Sequence, residues 1–124
     1  MKGEKDWIGL YFSASWCPPC RNFTPILSEF YNQLKMQGKN FEIIFCSNDQ
    51  DPNQDNAYYD KMPWPRLVFG DSAVGQLGNQ FGLSGIPCLV ILNSNGDKVI
   101  TNNGVGDVYE MGANIYPVWA NAAK

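Results

Sequence analysis

Cys17 and Cys20 stand three residues apart in the stretch YFSASWCPPCRNF, with Pro18 and Pro19 between them. A thiol is a weak nucleophile and a thiolate a strong one, so a reactive cysteine needs a local reason to ionise near neutral pH. Cys17 has one if a helix begins at Pro18. Its sulfur then lies at the cap, where unpaired backbone N–H groups and the positive end of the helix dipole favour negative charge. Neither proline offers an N–H, so the donors left nearby are chiefly the amide and thiol of Cys20. The double proline stiffens the turn while thinning the hydrogen bonds to a thiolate, which raises its pKa relative to a Gly-Pro turn. Cys20 lies one turn further in and is better shielded. That geometry suits a two-step exchange: Cys17 attacks a partner disulfide, and Cys20 resolves the mixed disulfide, leaving Cys17–Cys20 oxidised. Trp16, Pro18 and Pro19 supply an apolar rim for docking a partner.

Other uses of the pair fit less well. A structural disulfide across three residues closes too small a loop to stabilise much. A zinc site needs two more ligands, and the chain has no histidine and no second C-x-x-C. Cys46 and Cys88 would complete four thiolates only by leaving the apolar runs FEIIFC and CLVIL, where they read as small buried hydrophobes. The absence of histidine also removes Cys–His hydrolysis. Ile86-Pro87 is the second informative element. A cis bond there, beside a reactive thiol, would hold the Ile86 backbone where a client peptide could pair with it. A proline opening a strand is equally permitted without any function.

These residues need a scaffold, and 124 residues with 44% apolar content suffice for one domain, residues 1–124. The net charge of −3 and only two arginines, Arg21 and Arg66, leave no basic surface for direct nucleic-acid binding. No apolar run is long enough to span a membrane, and MKGEKDW lacks the apolar middle of a signal peptide. The expectation is a soluble intracellular protein, in the cytoplasm, with the nucleus as a second location.

A buried strand is expected at 7–15, followed by a helix from Pro18 to about Gln37. Phe23, Ile26, Leu27, Phe30, Tyr31 and Leu34 line one face of that helix, and Gly38 stops it. Pro25, inside it, predicts a kink. A second strand at 41–48 lacks alternation, as parallel strands covered on both faces do. A short helix opens at Asp51–Pro52, and its carboxylates with Asp49 read as a solvated acidic cluster. Residues 63–71 are proline-broken and read as an irregular connection or edge strand, and 72–82 as a weak helix carrying Gly75 and Gly78. Strands at 86–92 and 97–101 form a hairpin through Asn95-Gly96. A terminal helix, limited by Pro117, packs back on the sheet. The whole is an α/β sandwich, part parallel and part antiparallel.

YFSASWCPPCRNFTP, FEIIFCSND, MPW and GIPCLVIL together resemble the tryparedoxins and nucleoredoxins, a branch of the thioredoxin superfamily, over nearly the whole chain. The resemblance implies a thioredoxin fold, a central mixed sheet with helices on both faces. It also implies Cys17 as nucleophile, Cys20 as resolving thiol and Pro87 as a cis proline facing them, with Ile86 beside it for the client. Such a protein reduces disulfide-containing clients, peroxiredoxins or redox-sensitive signalling proteins. It draws electrons from a reductase or a low-molecular-weight dithiol and needs no bound metal or organic cofactor. Two rivals remain: a redox-gated binding module whose turnover is incidental, and an oxidant or isomerase of a secretory compartment. Thioredoxins proper carry an aspartate six residues before the first cysteine. This chain has Tyr11 there, so the resemblance names no proton acceptor for Cys20. It also departs at PRLVF, where the family tends to have an AVP run.

Overall fold

The computed structural model describes residues 6–49, 51–67, 72–82, 85–93 and 98–122. Its sheet has four strands in the order β2-β1-β3-β4. The central strand β1 (Trp7–Ser13) pairs parallel with β2 (Phe41–Ser47) and antiparallel with β3 (Cys88–Leu92), and β3 pairs antiparallel with β4 (Val99–Thr101). Both faces of β1 are covered. Trp7 and Tyr11 point into one core, with α1 (Pro18–Met36) and the C-terminal helices, whereas Leu10 and Phe12 point into the other, under α3 (Ser72–Gln80). That double burial explains why β1 and β2 read as continuous apolar runs.

Helix α1 starts on two prolines, whose fixed φ and missing N–H suit a first turn. It continues through Pro25, buries Cys20, Phe23, Thr24, Leu27, Phe30, Tyr31 and Leu34, and ends before Gly38, whose φ of 76° turns the chain out. Around Trp7 gather Phe30, Phe41, Tyr116 and Trp119, with ring centroids 4.6 to 6.5 Å away. This aromatic cluster clamps the first strand to α1 and to the C-terminal segment.

Three expectations are corrected. Strand β1 ends at Ser13, because Ala14 turns to accept the Cys17 N–H at 3.3 Å. The C-terminal helix is two, α4 (Gly104–Met111) and α5 (Tyr116–Ala122), joined by a 3₁₀ turn (Gly112–Ile115). Pro117 sits at the second residue of α5 and so helps open a helix instead of ending one. The carboxylates around α2 (Pro52–Tyr59) are not all solvated: Asp51 caps the helix by accepting the Asn53 N–H at 2.8 Å, but Asp49 and Asp55 are buried. Asp55 is paired with Arg66, whose guanidinium lies 4.7 Å from the Tyr59 ring centre. The proline-broken segment is an irregular connection, as expected, and meets β2 through one residue. Phe45 donates to the Pro65 carbonyl at 2.9 Å and accepts from the Leu67 N–H at 3.0 Å. The turn through Asn95-Gly96 lies outside the described residues, although Asn93 N–H donates to the Lys98 carbonyl at 3.0 Å and closes the hairpin.

Candidate active site

The end of β1 and the start of α1 place the two cysteines. Cys17 is the N-cap of α1, with extended backbone angles (φ −97°, ψ 109°), and its sulfur accepts the Cys20 N–H at 3.4 Å. This is the helix cap expected from the sequence, and with prolines at the next two positions Cys20 supplies the nearest free amide. The Ile86–Pro87 bond is cis, and the Ile86 carbonyl lies 3.8 Å from the Cys17 sulfur, within reach of its S–H. The Ile86 side chain packs on Ala14, Cys17 and Cys20. The structure thus brings Cys17 and Cys20 together with Ile86, 66 or more residues further along the chain, and Pro87 follows Ile86 through the cis bond. Trp16 is 58% exposed beside them, and Pro18 and Pro19 are exposed on the same turn.

The two thiols differ in surroundings. Both are free; Cys17 keeps 5% of its surface and Cys20 none. Burial, together with its place beside the Cys17 sulfur, pushes the Cys20 thiol up to about 11, so it stays protonated at neutral pH. The neighbouring Ser13 hydroxyl and Ala14 amide favour the thiolate and pull the other way. Cys46 is a buried thiol within β2, raised to about 12 by desolvation, and Cys88 opens β3 half-buried. Both behave as strand residues, and no group of metal-ligating side chains occurs among the described residues.

Sequence reasoning passed over the polar groups behind Cys20. Ser13 and Tyr11, two apart on β1, share a face, and Thr24 lies one turn beyond Cys20 on α1. Tyr58 comes from α2. The Tyr58 hydroxyl lies 2.6 Å from both Ser13 Oγ and Thr24 Oγ1, and Tyr11 Oη lies 2.7 Å from Thr24 Oγ1. Thr24 donates to the Cys20 carbonyl at 2.9 Å. On the other flank Asp49 holds the loop before Trp16, accepting from the Ser15 amide at 3.0 and 3.2 Å and from its hydroxyl at 2.8 Å. The only available sequence signal was the alternation of Tyr11 and Ser13, polar atoms on a strand face that otherwise buries aromatics.

A C-x-x-C at the cap of the first helix of a β-α-β unit, beside the cis bond that precedes an antiparallel strand, defines a thioredoxin-fold site. Residues 5–98 match the family model described as Thioredoxin-like, and the chain belongs to that family, among its tryparedoxins and nucleoredoxins. It is 45% identical over 118 residues to a probable nucleoredoxin 1 of Arabidopsis thaliana, covering 94% of this chain and 20% of the relative. To the tryparedoxin of Trypanosoma brucei brucei it is 47% identical over 94 residues, 75% of this chain and 65% of that one. The chain therefore spans less than two thirds of these relatives' length. The solved tryparedoxin from Trypanosoma brucei superimposes with a TM-score of 0.84 at 41% identity, covering 91% of this chain and 78% of that one.

Proposed function

We propose that this protein reduces disulfides in client proteins by dithiol exchange, with Cys17 as nucleophile and Cys20 as resolving thiol. The observation that carries the reading is the asymmetry of the pair. Cys17 lies at a helix cap, its sulfur accepting an N–H at 3.4 Å, while Cys20 is fully buried behind it as a thiol. Cys17 attacks one sulfur of the client disulfide and expels the other as a thiolate. Cys20, once deprotonated, attacks Cys17, and the second client sulfur leaves with the electron pair of its broken bond. The client gains two electrons, and the protein is left with a Cys17–Cys20 disulfide. A reductase or a low-molecular-weight dithiol returns it to the dithiol form, and no bound metal or organic cofactor takes part. Peroxiredoxins and redox-sensitive signalling proteins are the client classes we favour, docked on Trp16, Pro18, Pro19 and the Ile86–Pro87 backbone. Insulin reduction with a dithiol donor tests the chemistry: turnover by the wild type and none by Cys17→Ser is expected, and equal rates for the two would overturn it.

The exposed indole of Trp16, next to the nucleophile, favours one alternative, a redox-gated binding module. Single Cys20→Ser protein that accumulates mixed disulfides in extract supports exchange. A Cys17→Ser, Cys20→Ser double variant that keeps all partner binding and cellular effect supports the module.

A further inference from the structure

One stripe of α1 leads away from the cysteine turn. Pro18, Arg21, Asn22, Pro25 and Ser28 recur at three- and four-residue spacing, so they share one face of the helix. With Tyr58 of α2 and Lys61, just beyond that helix, they wall a cleft of about 710 Å³. That volume is in the range of ligand-binding pockets, roughly 300–1,000 Å³. From Pro18 to Ser28 the helix rises about 15 Å, the span of about five extended residues. Pro18 is bonded to Cys17, so the cleft begins one residue from the nucleophile.

Both charges on this wall are positive, in a chain whose net charge is −3. Arg21 and Lys61 are exposed, and among the described residues neither is paired with a carboxylate. The buried carboxylates around α2 are taken: Asp49 by Ser15 and Asp55 by Arg66. Ser28 adds a hydroxyl that is buried and has no hydrogen-bond partner, a group that costs free energy until something bonds to it. The exposed side chain of Asn22 adds an amide donor, and Pro18 and Pro25 supply apolar ground between the polar groups. Two cations are too few to hold a phosphate backbone through counterion release. A strip this long, charged at more than one point, fits an extended acidic peptide better than a single small anion.

We infer that the cleft is a docking subsite for an acidic segment of the client chain next to its disulfide, with Arg21 and Lys61 selecting it by its carboxylates. The segment lies along α1 while the disulfide meets Cys17. The cleft therefore decides which clients are held and leaves the exchange chemistry alone. It ranks clients by the charge beside their cysteines, a selection that the uncharged Trp16, Pro19 and Ile86–Pro87 surface does not provide. The inference rests on the exchange reaction proposed above.

Two disulfide-cyclised peptides with the same ring test it. One is extended on both sides of the ring by about five glutamate-rich residues, matching the length of the cleft, and the other carries glutamine in the same places. Reduction of each by the protein, with a dithiol donor, gives kcat/KM. The wild type is expected to prefer the acidic peptide about fivefold, the gain of two exposed ion pairs, through KM and not kcat. In Arg21→Gln and in Lys61→Gln the preference falls to about twofold, and in the double variant it vanishes. Lys61→Arg, which keeps the charge, retains it. The ratio of the two peptides within each variant cancels any effect of Arg21 on the thiol itself. Salt at about 0.5 M shrinks the wild-type preference by screening. A preference that survives in the double variant overturns the subsite. Equal rates for the two peptides in the wild type also overturn it, and if inorganic phosphate then slows both alike, the cleft serves a small anion. Failure of the wild type to reduce either peptide overturns the exchange reading instead.

Discussion

Arg66→Met isolates what holds α2, and with it Tyr58, against the sheet. Asp55 has no exposed surface; one carboxylate oxygen is paired with Arg66, and the other has no hydrogen-bond partner. Removing the guanidinium leaves a buried carboxylate uncompensated, a loss of about 3–5 kcal/mol for such pairs. The contact of Arg66 with the Tyr59 ring, at 4.7 Å, adds about 0.5–1 kcal/mol. Together these make a loss of about 5 kcal/mol. With an unfolding entropy of about 2.1 cal/mol/K per residue, a chain of 124 residues then melts about 19 °C lower. The pair itself is not the source of net stability, because taking both charges out of water offsets most of their attraction. The double variant Asp55→Leu, Arg66→Met is therefore expected within about 1 kcal/mol of wild type. Urea unfolding of all four members of the cycle measures this. A loss below about 1 kcal/mol for Arg66→Met, or a double variant no more stable than the single, refutes the reasoning.

Asp49→Ala strips the acceptor from the Ser15 amide and hydroxyl; a stability loss of about 2 kcal/mol by urea unfolding, with slower insulin reduction, is expected, and unchanged values would show the loop holds itself. Burial raises Cys20 to about 11 and Cys46 to about 12, so the folded state favours both thiols protonated. Their contribution is complete below the ordinary thiol pKa and is lost as pH rises from about 9 toward 12. The urea midpoint of the reduced protein should fall across that range, less steeply in Cys46→Val, and a flat midpoint would contradict the burial argument.

The cysteine pair and its helix cap were legible because each is a local signal, a spacing and a breaker, whereas the cis form of Pro87 followed only from the resemblance. β1 and β2 were legible as covered strands from their unbroken apolar runs. What escaped needed tertiary knowledge. Asp49 and Asp55 look like solvent-facing charges in DQDPNQD until Ser15 and Arg66, from elsewhere in the chain, are brought to them. Tyr58 is indistinguishable from Tyr59 in sequence, yet one meets Ser13 and Thr24 while the other stacks on Phe45 with an interplanar angle of 5°. Pro117 was misread because a proline ends one helix or starts the next depending on a 3₁₀ turn that no residue type announces.

The single-residue contact between Phe45 and the Pro65–Leu67 segment has a consequence for how strangers are received. It occupies the outer rim of β2 at one point with a segment that cannot lengthen through its prolines, while the opposite rim is β4, only three residues long. Among the described residues, one border is interrupted at Phe45 and the other is a three-residue strand, so neither is a long uninterrupted ladder for a passing extended chain. Under the proposed function, a client strand would pair instead at the Ile86 carbonyl, 3.8 Å from the Cys17 sulfur.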